Sequence, residues 1–309
     1  MLNKEVKKAA EIIKNGGLVA FPTETVYGLG ASALNSIAVE KIFKIKGRPS
    51  DNPLIVHIGT EQQLELLTYP LDLISRKLVR KFWPGPLTLV LRKKEAVPDN
   101  VTARLGTVAV RMPAHETARL LAKLAGPIAA PSANKSGKPS PTSIKHILED
   151  YTKKELTKIG AILDGGDTQH GIESTVYDPI KKRILRPGTI TLKQIQEIIP
   201  EAAYSSAVSL VPASPGMKYK HYSPKAELIL FTGNLKAIDE IFKLIKNEQI
   251  AILKIDRTKN SAKTLFAKLR LFDERRIKTI LCKGIEEEGI GYSIMDRLKK
   301  ASTQIIEVG

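Results

Sequence analysis

Cysteine, aromatics, acidic residues and long apolar runs are all scarce in this chain. Its one cysteine, Cys282, excludes a disulfide framework and any multi-cysteine zinc site. Within Lys278-Thr-Ile-Leu-Cys282 it reads as a small strand residue. Five histidines are scattered without a His-Glu-x-x-His or other paired spacing, so no protein-held transition metal is expected. Aromatic residues make up only 5%, and no aromatic platform of the kind that stacks RNA bases is visible. No apolar run approaches the roughly 20 residues that span a bilayer. The run Leu18–Phe21, behind a Lys-rich start, is too short for a signal core. A soluble, cytoplasmic protein with no membrane partner is expected. No internal repeat or low-complexity tract appears. Acid is the last shortage: 32 Asp and Glu stand against 49 Lys and Arg, a net charge of +17. Such a surface favours polyanions such as nucleotides or RNA, although a solvated, lysine-rich exterior accounts for the same charge.

What is present supports a real core: 42% of 309 residues are hydrophobic, enough for one large domain and a smaller one. Leu2, Val6, Ala9, Ala10 and Ile13 recur at helical spacing, and Gly16-Gly17 ends that helix. Leu18–Phe21 is a strand running into the polar loop Pro22-Thr-Glu-Thr-Val-Tyr-Gly-Leu-Gly30. Ser36–Lys46 is a helix with Ser36 as N-cap, Ile37, Ile42 and Ile45 on one face, and Gly47 in the left-handed closing position. A buried strand follows Pro53. Leu71–Trp83 is helical, Pro84-Gly-Pro86 breaks it, and Leu87–Arg92 is a strand. Strand 106–113, helix 116–125, strand 127–134, a helix capped by Thr142, and strands at 161–166 and 174–178 continue an alternating α/β unit that runs to about residue 205, with 184–188 closing it. Residues 206–225 are rich in proline and polar residues, and serve as a linker or a lid over a site. From residue 226, strands 227–231, 250–253 and 278–282 alternate with helices, the layout of a small parallel three-layer domain. The domains expected are therefore 1–205 and 226–309, joined by 206–225.

Several stretches carry candidate chemistry. Lys46-Gly-Arg48-Pro49-Ser-Asp-Asn-Pro53 holds two cations on a turn stiffened by prolines, suited to one polyanion. Helix-dipole stabilisation of Lys46 and ordinary loop chemistry explain the pair as well. The loop 22–30 offers the hydroxyls of Thr23, Thr25 and Tyr27 at a strand end, but not a dinucleotide fingerprint. His57 is either a satisfied core histidine or a ligand contact. Arg111, at a strand end before Pro113, is a carboxylate clamp or half of a structural ion pair. Lys135-Ser-Gly-Lys-Pro-Ser-Pro141 has the composition of a phosphate-facing loop without Walker spacing. Magnesium carried by a nucleotide remains compatible with all of this.

In combination these motifs are specific. Phe21-Pro-Thr-Glu-Thr-Val-Tyr-Gly-Leu-Gly30, Lys46-x-Arg48, Pro53-Leu-Ile-Val-His57, Arg111-Met-Pro, Pro131-Ser-Ala-Asn134 and Gly216-Met-Lys-Tyr-Lys-His-Tyr-Ser-Pro224 occur in that order. Together they resemble the two-domain threonylcarbamoyl-AMP synthases of the YrdC family over most of residues 5–224, and more weakly through Gly289–Ala301. The resemblance implies a YrdC-like twisted mixed-sheet domain and a small Rossmann-like parallel α/β domain joined by a lid-like linker. It implies a nucleotidyltransferase that makes threonylcarbamoyl-AMP and pyrophosphate from L-threonine, bicarbonate (or carbon dioxide) and ATP with magnesium. A separate tRNA threonylcarbamoyl transferase would consume the product. Lys46, Arg48, Ser132 and Asn134 match the family's catalytic, phosphate-holding tetrad. Asn52, Thr107, Ser140, Arg186 and Tyr222 match further ATP contacts. Thr25, His57, Arg111, Ala130, Ser132 and Ser174 match the threonine pocket. Tyr222→Ala is expected to lower turnover while leaving the melting temperature nearly unchanged. Ser293 departs from the alanine common in the family, and the second domain is short for it. The rival class is an RNA-binding protein of the same fold without turnover, whose affinity would fall steeply with salt.

Overall fold

A computed structural model describes residues 2–205, 221–245 and 247–309, the side chain of Leu2 excepted. Fourteen strands run in chain order among these residues. They are β1 (Val19–Phe21), β2 (Gly28–Ser32), β3 (Ile55–His57), β4 (Leu87–Arg92), β5 (Thr107–Arg111), β6 (Ile128–Ala129) and β7 (Ala161–Ile162). Then come β8 (Thr175–Asp178), β9 (Arg183–Arg186), β10 (Ala203–Tyr204), β11 (Glu227–Gly233), β12 (Ile250–Leu253), β13 (Thr279–Lys283) and β14 (Gln304–Val308). The first ten form one mixed sheet of order β10-β9-β8-β4-β5-β3-β6-β2-β1-β7. The last four form a separate sheet, β12-β13-β11-β14, in which every pair is parallel.

The large sheet is covered on both faces. Helices Leu2–Lys14 and Glu116–Ala125 bury Val6, Ala9, Ala10, Ile13, Ala118, Leu121 and Ala122 over one face. Helices Ser36–Lys46, Leu73–Phe82 and Ile144–Asp150 cover the other, where the largest apolar cluster lies. The small sheet is likewise sandwiched: helices Lys259–Glu274 and Ile290–Ala301 pack on Leu228, Leu230, Ile280 and Cys282, and helix Leu235–Lys243 packs on the opposite face. The expected mixed-sheet unit and small parallel three-layer unit are both present.

Several local expectations need correction. Asn35, not Ser36, caps the helix Ser36–Lys46, its side chain accepting from Ala38 N. Ile37 is 71% exposed, so the buried stripe runs through Val39, Ile42 and Ile45 instead. Gly47 adopts the left-handed conformation at φ 63°, as expected. Ser143 rather than Thr142 precedes the helix Ile144–Asp150. Strand 127–134 shrinks to β6, after which residues 130–134 turn inward as a loop. Gly28-Leu-Gly30 belongs not to a loop but to β2, antiparallel to β1. Phe21 and Ile128 stand where a Cβ on Gly30 would lie, at 2.7 and 2.5 Å, so glycine is required for this close approach. The strand β14 was not expected at all.

The two units meet through buried charge. Arg270 makes a bidentate pair with Asp150 at 3.0 and 2.8 Å, and Arg297 donates to Glu173 at 3.1 Å. Tyr204 stacks on Tyr292 with ring centroids 3.8 Å apart, and Ser293 Oγ donates to Gly188 O at 2.8 Å. Ser293 thus uses its hydroxyl across the junction, which alanine could not do. Of the expected linker, residues 206–220 lie outside the described residues, including Gly216–Lys220 of the motif.

Candidate active site

The loop Pro22–Tyr27, the turn after helix Ser36–Lys46, the end of β5 and the segment 130–138 converge on one cleft of about 740 Å³. Backbone bonds hold these segments together: Ala133 N donates to Tyr27 O, Leu29 N to Pro131 O, and Ser136 N to Lys46 O. Eleven of the residues that the resemblance assigns to ATP or threonine line it. They are Lys46, Arg48, Ser132, Asn134, Arg186, Tyr222, Thr25, His57, Arg111, Ala130 and Ser174.

Lys46 is only 3% exposed. Its ammonium donates to Ser132 O at 2.6 Å and to Asn134 O. Burial, and then the neighbouring Arg48 cation, drives its pKa well below the usual lysine range. Arg48 donates to Asn52 O at 3.3 Å and Pro53 O at 3.1 Å, which ties the guanidinium to its own turn. Ser132 Oγ donates to Asn134 Oδ1 at 2.5 Å, while Asn134 Nδ2 donates to Lys135 O and Lys138 O, each at 2.8 Å. The Lys-x-Arg and Ser-x-Asn motifs therefore form a single bonded unit.

At the end of β5, Arg111 is fixed on three sides. Nε donates to Gly85 O at 3.1 Å, Nη1 to Thr25 Oγ1 at 2.8 Å, and Nη2 lies 2.6 Å from Glu24. These anchors use at most three of its five N–H groups. His57 pairs in register with Arg111 and sets its ring edge-on to Phe21 at 5.8 Å. Burial, reinforced by the Arg111 charge, lowers its pKa to about 3, so the imidazole is neutral. Arg186 donates through Nε and Nη2 to Ser174 O, and Nη2 also reaches Ser174 Oγ at 3.1 Å.

Three sequence candidates are set back from the cleft. Asn52 is fully buried beneath the Arg48 turn. Thr107 opens β5, four residues from Arg111, or about 13 Å along an extended strand. Ser140 is fully buried behind the wall and donates to Glu173 Oε1 at 2.5 Å. Reading the sequence missed Glu24 and Glu173, and flagged Lys138 and His221 only as members of a phosphate-facing loop and a lid-like segment. The last three line the cleft and Glu24 backs Arg111. Glu24 and His221 lay inside quoted motifs; nothing local marked Glu173. Among the described residues no cluster of His, Cys, Asp or Glu could hold a metal ion, and no helix is long and apolar enough to cross a membrane.

A mixed-sheet α/β unit with a cation-lined cleft, walled in part by elements bonded to a second, parallel α/β unit, defines a class of two-domain α/β proteins whose cleft suits anionic ligands. Residues 11–188 match the family model described as telomere recombination (Sua5, YciO and YrdC), and residues 190–303 match the threonylcarbamoyl-AMP synthase C-terminal domain. The chain belongs to the two-domain threonylcarbamoyl-AMP synthase family. It is 46% identical to the threonylcarbamoyl-AMP synthase of Pyrococcus abyssi, over 96% of this chain and 94% of that one. It is 42% identical to the Bacillus subtilis synthase, over 96% and 93%. A crystal structure of P. abyssi Sua5 complexed with L-threonine superposes with a TM-score of 0.91 at 45% identity, covering 99% of this chain and 97% of that one.

Proposed function

We propose that this chain is a nucleotidyltransferase that condenses L-threonine, bicarbonate and ATP into threonylcarbamoyl-AMP and pyrophosphate. The observation that carries the reading is one cleft lined by several cations, one of which, Arg111, is held with N–H groups to spare. Lys46, Arg48 and Lys138 are tied to the turn after helix Ser36–Lys46 and to the segment 132–138, and Arg186 also lines the cleft. Arg111 is held by Thr25 and Glu24 and pairs in register with neutral His57. A triphosphate suits Lys46, Arg48, Lys138 and Arg186, and an amino-acid carboxylate suits Arg111.

In the reaction, the threonine amine adds to the carbon of carbon dioxide derived from bicarbonate and loses a proton, giving a carbamate. A carbamate oxygen then attacks the α-phosphorus, and the bond to the pyrophosphate oxygen breaks with its electron pair. Negative charge gathers on phosphoryl oxygens, where Lys46 and Arg48 stabilise it, with Ser132 and Asn134 fixing Lys46. Asn52, Thr107, Ser140, Arg186 and Tyr222 are assigned to ATP, directly or by backing those that touch it. Thr25, His57, Arg111, Ala130, Ser132 and Ser174 are assigned to threonine. ATP enters as its magnesium complex. Glu24 and Glu173 each face an arginine, so the ion rests on substrate phosphates rather than on a protein cage. Carbamate and mixed anhydride both hydrolyse readily, which favours a cleft walled from water. The activated product would pass to a cytoplasmic transferase acting on tRNA, and the +17 charge suits transient RNA contact.

The domains proposed are 1–205 and 226–309, with the first sheet ending at Tyr204 and the second starting at Glu227. Carbon-13 bicarbonate supplied with ATP and threonine tests the reading. The label should appear in a product carrying both threonine and AMP. Label found without AMP would contradict it.

A further inference from the structure

Arg270 and Arg297 lie on different helices of the C-terminal unit, yet both act on one loop of the first unit. Arg297 is fully buried, and an unpaired guanidinium there would be strongly unfavourable. Its Nε donates to Glu173 Oε2 at 3.1 Å and its Nη1 to Pro187 O at 2.5 Å. The other oxygen of Glu173 receives Ser140 Oγ, at the end of the loop Lys135–Pro141. Arg270 grips the same loop elsewhere, donating to Pro139 O at 2.5 Å. It also holds Asp150, whose two oxygens take Lys138 Nζ at 3.1 Å and Lys135 N at 3.3 Å. In the middle of the loop, Ser136, Gly137 and Lys138 line the cleft, and Asn134 donates to Lys138 O.

We infer that Arg270 and Arg297 are positioning residues through which the C-terminal unit sets the loop Lys135–Pro141 against the triphosphate of bound nucleotide. This rests on the synthase reading for the nucleotide's identity. A junction needing only cohesion could have put these charges anywhere along its surface. Here Arg270 reaches the cleft-lining loop directly at Pro139 O and through Asp150, while Arg297, which also pairs with Asp296 of its own helix, reaches the loop's Ser140 end through Glu173. Arg270, whose partners are Pro139, His146 and Asp150, touches nothing assigned to threonine, whereas Arg297 holds Glu173 beside Ser174, so the Arg270 variants are the ones that separate nucleotide from threonine effects.

The test uses the full chain and compares R297M, R270M and the charge-conserving R297K and R270K. Removing Arg297 leaves Glu173 as a buried anion, so R297M/E173Q removes both charges together and keeps a foldable variant in hand. Titration with a non-hydrolysable ATP analogue reads nucleotide affinity, and pyrophosphate release reads KM for ATP and for threonine. Each methionine variant should weaken analogue binding and raise KM for ATP by about tenfold, the worth of one charge-assisted hydrogen bond. KM for threonine should stay within about twofold in the Arg270 variants, with the lysine variants recovering part of the loss. Analogue affinity unchanged in R297M/E173Q and R270M would overturn the inference, as would equal rises in both KM values in R270M. If the parent chain released no pyrophosphate, the synthase reading would fail instead, and the analogue titration would still decide whether the arginines position a nucleotide.

Discussion

Glu24 and Arg111 form a 2.6 Å ion pair in which the side chains are 4% and 3% exposed. The sequence left Arg111 either a carboxylate clamp or half of a structural pair, and the geometry permits both roles at once. Glu24 and Thr25 hold the guanidinium still, and the remaining N–H groups can take a ligand. Arg111→Lys keeps a charge but loses the fork, and should raise KM for threonine by at least about tenfold while leaving KM for ATP near its parent value. Equal effects on both substrates would remove Arg111 from the threonine pocket.

Breaking the pair from its other side tests stability. Glu24→Gln leaves a buried guanidinium without its counter-charge, which should cost about 3 kcal/mol or more. Denaturant unfolding at neutral pH measures it. A cost within about 0.5 kcal/mol would mean that water or another group compensates.

Acid should undo the same network. Burial works against ionisation of Glu24, Asp150 and Glu173, but arginine partners outweigh it and hold each pKa below the usual carboxylate value. Their contribution is complete above the unfolded pKa, about 4, and is lost as pH falls through the lower folded values. Neutral His57 adds to this, because its folded pKa near 3 lies below its ordinary 6.5. Stability should therefore begin to fall below about pH 6.5 and drop steeply below about pH 4. The His57 ring proton should show no titration by NMR between pH 5 and 8; a midpoint near 6.5 would contradict its burial.

Lys46 links nucleotide binding to protons. Its free pKa is driven down by burial and Arg48, and a bound triphosphate would favour the ammonium and raise it. ATP binding should then take up protons and weaken as pH rises. Calorimetry in buffers of different ionisation enthalpy reads this directly. Zero proton uptake at every pH, with tight binding retained in Lys46→Met, would contradict the assignment.

Tyr222 changes the outcome expected from sequence alone. It is 6% exposed, has φ 65°, stacks on Phe266 at 5.1 Å and lies 5.7 Å from the Arg297 guanidinium. Tyr222→Ala should therefore cost about 3 kcal/mol of stability rather than leave melting unchanged. Tyr222→Phe keeps the stacking and isolates the hydroxyl. A turnover loss in the phenylalanine variant at parental stability would assign that hydroxyl to the reaction.

Long, strongly patterned elements were legible in the sequence. Helix Glu116–Ala125 and strand Leu87–Arg92 fall where apolar spacing put them, because burial on one face or both dictates their residues. β2 was hidden because Gly28 and Gly30, chosen for close packing against Phe21, look like loop residues. β14 was hidden because Ile305 and its neighbours pair only with β11, a strand far away in sequence. The cleft was legible where motifs carried it, from Thr25 to Asn134. Glu173, Arg270 and Arg297 were not, since each acquires its role from a partner more than a hundred residues distant.

Pyrophosphate release from ATP by purified full-length chain, with threonine and bicarbonate omitted in turn, tests the central claim most directly. The proposed chemistry predicts release only when both are present. Release without threonine, or no release from a folded chain that binds RNA in a salt-sensitive way, would contradict it.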